Sequence, residues 1–143
     1  MKCIAVNIDI IIIEGGTFDK SFQWKTGDPA VPVNLTGYTA NMQIRSKIKN
    51  DTVLLEVPHK REAWTPDGDT GIYFYNDEYD TEYDVEDIGK WRIYLRDNDT
   101  LGLCDAHKEI VGAYDLFLYN PSGEAVLKQY GTATITPAVT RNE

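Results

Sequence analysis

The chain has 143 residues and a formal charge of −9, from 14 lysines and arginines against 23 aspartates and glutamates. With 42% hydrophobic and 11% aromatic residues it can build one core, which excludes a disordered, a collagen-like or a coiled-coil chain. The acidic balance repels phosphate backbones and anionic lipid, and the most basic stretches, Lys47-Ile48-Lys49 and Lys60-Arg61, are short. Neither nucleic acid nor a membrane is therefore an expected partner.

The first segment is an apolar run ending at Ile13. Asn7 and Asp9 interrupt it and no small-residue cleavage pattern follows, so it reads as a strand and not as a signal peptide. Ile4, Val6, Ile8, Ile10 and Ile12 share one strand face, with Ala5, Asn7 and Asp9 on the other. Glu14-Gly15-Gly16 turns the chain. Phe18, Phe22 and Trp24 then recur on one parity of a half-buried strand. Lys25 to Pro29 is a turn by composition, and Pro32 makes Val31–Leu35 an edge piece, because proline donates no ladder hydrogen bond.

Tyr38, Ala40, Met42 and Ile44 alternate with polar residues, the cleanest period of two in the chain. A strand over Thr52–Val57, a loop over Pro58–Asp69 and a strand over Gly71–Tyr75 follow. Thr81–Ile88, closed by Gly89, has the signals of one or two helical turns. Trp91, Ile93 and Leu95 alternate with Arg92, Tyr94 and Arg96; Tyr114, Leu116 and Leu118 alternate with Asp115, Phe117 and Tyr119. Asn120-Pro121-Ser122-Gly123 is a hairpin turn, with return strands over Ala125–Tyr130 and Thr132–Thr136 and a bulge expected at Gly131. About eight strands at short spacing, with at most one short helix, predict an all-β antiparallel sandwich or barrel in a single domain, 1–143.

Catalytic chemistry finds little support. There is no GxSxG, Walker loop, GxGxxG or HExxH pattern. His59 reads as an exposed loop residue. Cys104 and His107 supply only half of a zinc ligand set, and Cys3 and Cys104 read as two buried thiols of a reducing compartment. The expectation is therefore no enzyme, no catalytic residue, no metal and no cofactor.

The unusual feature is an acidic cluster, Asp77, Glu78, Asp80, Glu82, Asp84, Glu86 and Asp87, interleaved with Tyr79 and Tyr83. It reads as a solvated loop first, as an acidic and aromatic surface for a partner second, and as a calcium site last. The EF-hand pattern fails there and at Asp97-Asn98-Asp99. Tyr73, Tyr75, Tyr94, Phe117 and Tyr119 lie opposite the presumed core parity of their strands, which predicts an exposed aromatic contact face. The candidate contact residues are Tyr73, Tyr75, Tyr79, Asp80, Tyr83, Asp84, Tyr94, Phe117 and Tyr119.

Three stretches carry a family resemblance. They are Glu14-Gly15-Gly16-Thr17-Phe18 with Phe22-Gln23-Trp24-Lys25, the run from Pro32 through Leu35-Thr36-Gly37-Tyr38-Thr39 to Arg45, and Tyr114-Asp115-Leu116 with the Pro121-Ser122-Gly123 turn, Gly131 and Thr136-Pro137-Ala138-Val139-Thr140. Together they resemble small structural proteins of tailed bacteriophages, of the tail-collar, side-fibre-attachment and upper-baseplate type. The resemblance covers about Ile4–Ser46 and Tyr114–Thr140; residues 76–111 match poorly and read as an expanded acidic connection. It implies an immunoglobulin-like β-sandwich assembled in the host cytoplasm into the virion. The implied partners are copies of itself in a symmetric ring and other tail or head–tail proteins. A capsid decoration protein on the same fold, a carbohydrate-binding sandwich module and a small hydrolase using the acidic cluster are the rival readings.

Overall fold

The computed structural model describes residues 4–46, 53–60, 62, 64–75, 87–104 and 108–137. Its strands are β1 (Ile4–Asn7), β2 (Ile10–Ile13), β3 (Phe18–Gln23), β4 (Lys25–Thr26), β5 (Val31–Pro32), β6 (Thr39–Ser46), β7 (Val53–Pro58), β8 (Gly71–Phe74), β9 (Lys90–Leu95), β10 (Ile110–Tyr119) and β11 (Ala125–Thr136). A short helix, α1 (Asp97–Thr100), follows β9.

The strands form two main sheets and a small β4–β5 hairpin. The larger sheet runs β1-β11-β10-β6-β7, with β2 also on β11; the smaller runs β3-β9-β8. β1 and β2 pair with β11 in parallel, and the other pairings between these strands are antiparallel. β3, β9 and β8 lie in the B-E-D order, and β7, β6, β10 and β11 in the C′-C-F-G order, of an immunoglobulin-like sandwich. The fold is thus all-β and immunoglobulin-like.

Alternation drives this arrangement. In β6 the residues Ala40, Met42 and Ile44 are buried between more exposed neighbours, and β10 repeats the pattern with Tyr114, Leu116 and Leu118. They meet Phe18, Trp91, Ile93 and Leu95 of the smaller sheet in one core. The hairpin between β10 and β11 closes on the Gly123 N–H, which donates to Asn120 O at 2.8 Å with Gly123 at φ +86°.

Several expectations are revised. The first apolar run is two strands, broken at Ile8 and Asp9. At the break the Thr132 N–H donates to Asp9 Oδ1 at 2.9 Å, and the Tyr114 hydroxyl donates to Ile8 O at 2.5 Å. Gly131 is not a bulge: it pairs in register with Tyr114, and β11 is continuous from Ala125 to Thr136. Glycine is required because the Ile8 carbonyl passes so close that a Cβ would lie 2.3 Å from its oxygen. The shift in register falls instead between Leu118 and Tyr119. The stretch 76–111, expected as a connection, contains β9, the central strand of the smaller sheet, and α1. The helical expectation over Thr81–Ile88 falls mostly outside the described residues, whereas Asp97–Thr100 is helical.

The two lateral sides of the sandwich differ. On one, the chain leaving β7 crosses directly to β8: His59 bridges to Ile72, and the Lys60 N–H donates to Ile72 O at 2.9 Å. His59 is accordingly half-buried, its ring 4.6 Å from Phe74, and not an exposed loop residue. On the other side, β2 passes to β3 through the tight turn at Glu14-Gly15-Gly16. Lys20 stands there on the core-side parity of β3, between Phe18 and Phe22, yet is exposed.

Two substitutions test this packing. Leu116→Ala removes a side chain with no exposure and is expected to cost ~2–5 kcal/mol, read from urea unfolding. Gly131→Ala forces the Ile8 carbonyl away and is expected to cost about 1–3 kcal/mol; an unchanged melting temperature would contradict the close approach.

Candidate functional site

The candidate contact residues separate into three groups. Tyr73 and Tyr94 are buried, at 2% and 8% exposure, which corrects the expectation of an exposed face there. Strand parity does place them on the outer face of β8 and β9, but residues 64–70 fold back over that face. The Tyr73 hydroxyl donates to Asp69 O at 2.6 Å, and the Tyr94 hydroxyl donates to Pro66 O at 3.3 Å. Trp64 meets Tyr94 edge-on at 5.6 Å.

Arg92 of β9 holds this covering segment. Its guanidinium lies 3.6 Å from the centre of the Trp64 ring and 5.4 Å from that of Tyr75, and its Nε sits 3.2 Å from Asp19 Oδ1 on β3. A stacked cation of this kind is worth ~0.5–2 kcal/mol. Tyr75 is half-buried, and its hydroxyl shares a 2.5 Å hydrogen bond with Ser21 Oγ. Trp64, Tyr73, Phe74, Tyr75 and Arg92 line a cavity of about 230 Å³. Its aromatic faces are largely engaged by Arg92, so the cluster works as a clasp on the segment above it.

Burial raises the Tyr73 pKa to about 12, and the nearby charges of Glu62 and Asp69 add to the shift. Burial also raises the pKa of Tyr114, partly offset by the hydrogen bond from Gln129 Nε2 at 3.0 Å.

Phe117 and Tyr119 lie on the outer face of the larger sheet and remain half-exposed. Their rings stack at 6.1 Å, and Lys128 sits 5.4 Å from Phe117 and 3.4 Å from the Asp115 carboxylate. Tyr79, Asp80, Tyr83 and Asp84 lie outside the described residues.

Sequence reasoning missed the main apolar patch. Ile11 and Leu101 are each 67% exposed, Ile13 is 56% and Val111 is 38%. Ile11, Thr134 and Val111 form one row across β2, β11 and β10, with Ile13 beside it. A Cβ on Gly15 would lie 3.6 Å from Leu101 Cδ1, so Leu101 joins the same end of the sandwich at the β2–β3 turn. The available signal was the parity of β2: Ile10 and Ile12 fill the core face, which leaves Ile11 and Ile13 on the face that Asn7 and Asp9 mark as polar. Clustered exposed aliphatic side chains of this kind mark a contact surface.

Among the described residues, no group of three or more His, Cys, Asp or Glu side chains is placed to hold a metal ion, and no helix is long and apolar enough to cross a membrane. Cys104 is buried; its N–H donates to Glu14 Oε2 at 2.9 Å and its thiol donates to Ile135 O at 3.4 Å. No family model and no curated protein matches the chain.

The shifted tyrosine gives a pH test. Below pH 10 its hydroxyl is neutral in both the folded and the unfolded chain. Between pH 10 and about 12 the unfolded chain releases this proton while the folded chain keeps it, so stability falls as the pH rises through that window. Tyr73→Phe is expected to start less stable, having lost the bond to Asp69 O, and to show a shallower fall over the same window in denaturant titrations.

Proposed function

We propose that this chain is a structural component of a tailed-phage particle, acting by protein–protein contact in a ring of its own copies at the tail. The observation that carries this reading is the patch of Ile11, Ile13, Leu101 and Val111, exposed at one end of a closed immunoglobulin-like sandwich. Burying such a patch against a neighbour stabilises by ~25 cal/mol per Å² of apolar surface removed from water. The resemblance of Glu14–Arg45 and Tyr114–Thr140 to phage collar, fibre-attachment and baseplate proteins supports the same role. Non-enzymatic action fits a surface whose aromatic and charged groups are occupied with one another.

Two measurements test the proposal. Ile11→Thr with Ile13→Thr keeps β-branched residues on β2 and removes apolar surface. The doubly substituted chain is expected to remain folded by circular dichroism and to lose association in light scattering. Immunogold labelling of particles with an antibody to the chain should place gold at the neck or distal tail. Gold over the head would make it a decoration protein, and particles without gold would remove the virion reading altogether.

A further inference from the structure

Residues 64–69 lie over the outer face of β8 and β9 as a flap with a narrow neck. The chain leaves the neck at Lys60, whose N–H donates to Ile72 O at 2.9 Å, and returns at Gly71, where a Cβ would lie 2.4 Å from Lys60 Cγ. Thr70 fixes the returning side. It is 7% exposed, its hydroxyl donates to the Asp99 carboxylate, and the Arg96 N–H donates to that hydroxyl at 2.9 Å. A surface loop whose ends meet can leave its scaffold with both neighbouring strands in place.

The flap itself is held by side chains. Among the described residues its one main-chain hydrogen bond is internal, from the Gly68 N–H to Thr65 O at 2.9 Å. The carbonyls of Pro66, Asp67 and Asp69 are met by the side chains of Tyr94, Arg96 and Tyr73. The Asp69 carboxylate sits 3.8 Å from Lys60 Nζ and 3.9 Å from Arg96 Nη1, on a side chain that is 74% exposed. Exposed ion pairs of this length add little and are screened by salt. The Trp64 ring is pinned between Arg92 and Tyr94, yet its Nε1 is buried with no hydrogen-bond partner among the described residues. Closure therefore strands a donor that water would satisfy in an open form.

We infer that residues 64–69 open and close as a unit over Tyr73 and Tyr94 while both sheets stay folded. The backbone order of the flap costs conformational entropy, and the unpaired indole adds to that cost, so both oppose the burial that closure gains. The core beneath does not depend on the flap. Ile72, Phe74, Ile93 and Leu95 point the other way, between the sheets, each at 3% exposure or less. In the closed form the two phenol rings are hidden; in the open form Tyr73, Tyr94 and Arg92 share one accessible face. That face is distinct from the aliphatic patch at Ile11 and Leu101, and its opening does not depend on the assembly reading.

Nitration of the full chain by tetranitromethane, resolved residue by residue through peptide mass spectrometry, tests this with an internal standard. Tyr114 is as buried as Tyr73, at 2% exposure each, but belongs to the core cluster and reacts only when the core opens. The expected result is nitration of Tyr73 about ten-fold or more faster than that of Tyr114. Trp64→Ala, which takes the ring away from Arg92, should speed Tyr73 by about five-fold again and leave Tyr114 unchanged. Asp69→Asn keeps the carbonyl that Tyr73 uses and removes both ion pairs. It should match the effect of raising the salt to roughly 1 M, a rise of about two-fold at Tyr73. Equal rates at Tyr73 and Tyr114 in the unmodified chain overturn the inference, and so does a Tyr73 rate that neither substitution moves.

Discussion

The parallel seam between β2 and β11 is the constraint on which most of the molecule depends. The register Ile10 with Ala133 through Ile13 with Thr136 sends Ile10 and Ile12 into the core and Ile11 and Ile13 out of it. A slip of one residue would exchange the two sets, so the same pairing that closes the core defines the apolar patch. The break before it is held by side chains: Asp9 caps the Thr132 N–H, and Tyr114 reaches from β10 to the Ile8 carbonyl. Gly131 lets that carbonyl through. The core face and the exposed face of this edge both follow from these few contacts.

Much of the fold was legible because period-two alternation acts locally. β6, β9 and β10 follow their hydrophobic patterns, and Asn120–Gly123 makes the turn that its residues favour. Sheet partners are long-range, and the parallel return of β11 to β1 and β2 has no sequence signal of its own. The aromatic face was misjudged for a related reason. Parity says which side of a strand a side chain leaves from, and Tyr73 and Tyr94 do leave from the outer side. It does not say that a proline-containing segment will return across that side and offer the carbonyls of Asp69 and Pro66 as acceptors. The patch at Ile11 and Ile13 lies in a run that is apolar on both parities from Ile10 to Ile13, so its only signal was the polar parity set earlier by Asn7 and Asp9.

The Trp64–Arg92–Tyr75 cluster shows how an acidic chain uses one of its few cations. Arg92 is drawn simultaneously to two aromatic faces and to Asp19, and so ties a loop, β8 and β3 to the central strand β9. The aromatic surface that sequence reading offers to a partner is in large part occupied by the protein itself. The most exposed large aliphatic side chains among the described residues, Ile11 and Leu101, lie elsewhere, at one end of the sandwich.

The crossing from β7 to β8 has a consequence for copies crowded together. A sheet grows into a fibril only where a flat strand can add at its edge. In the smaller sheet the β8 edge is covered at Ile72 by His59 and Lys60, and the β3 edge carries Lys20 on the side that a stacked sheet would have to bury. Neither edge accepts a new strand cheaply. Copies brought close together therefore find the cross-β route hindered at both edges of that sheet.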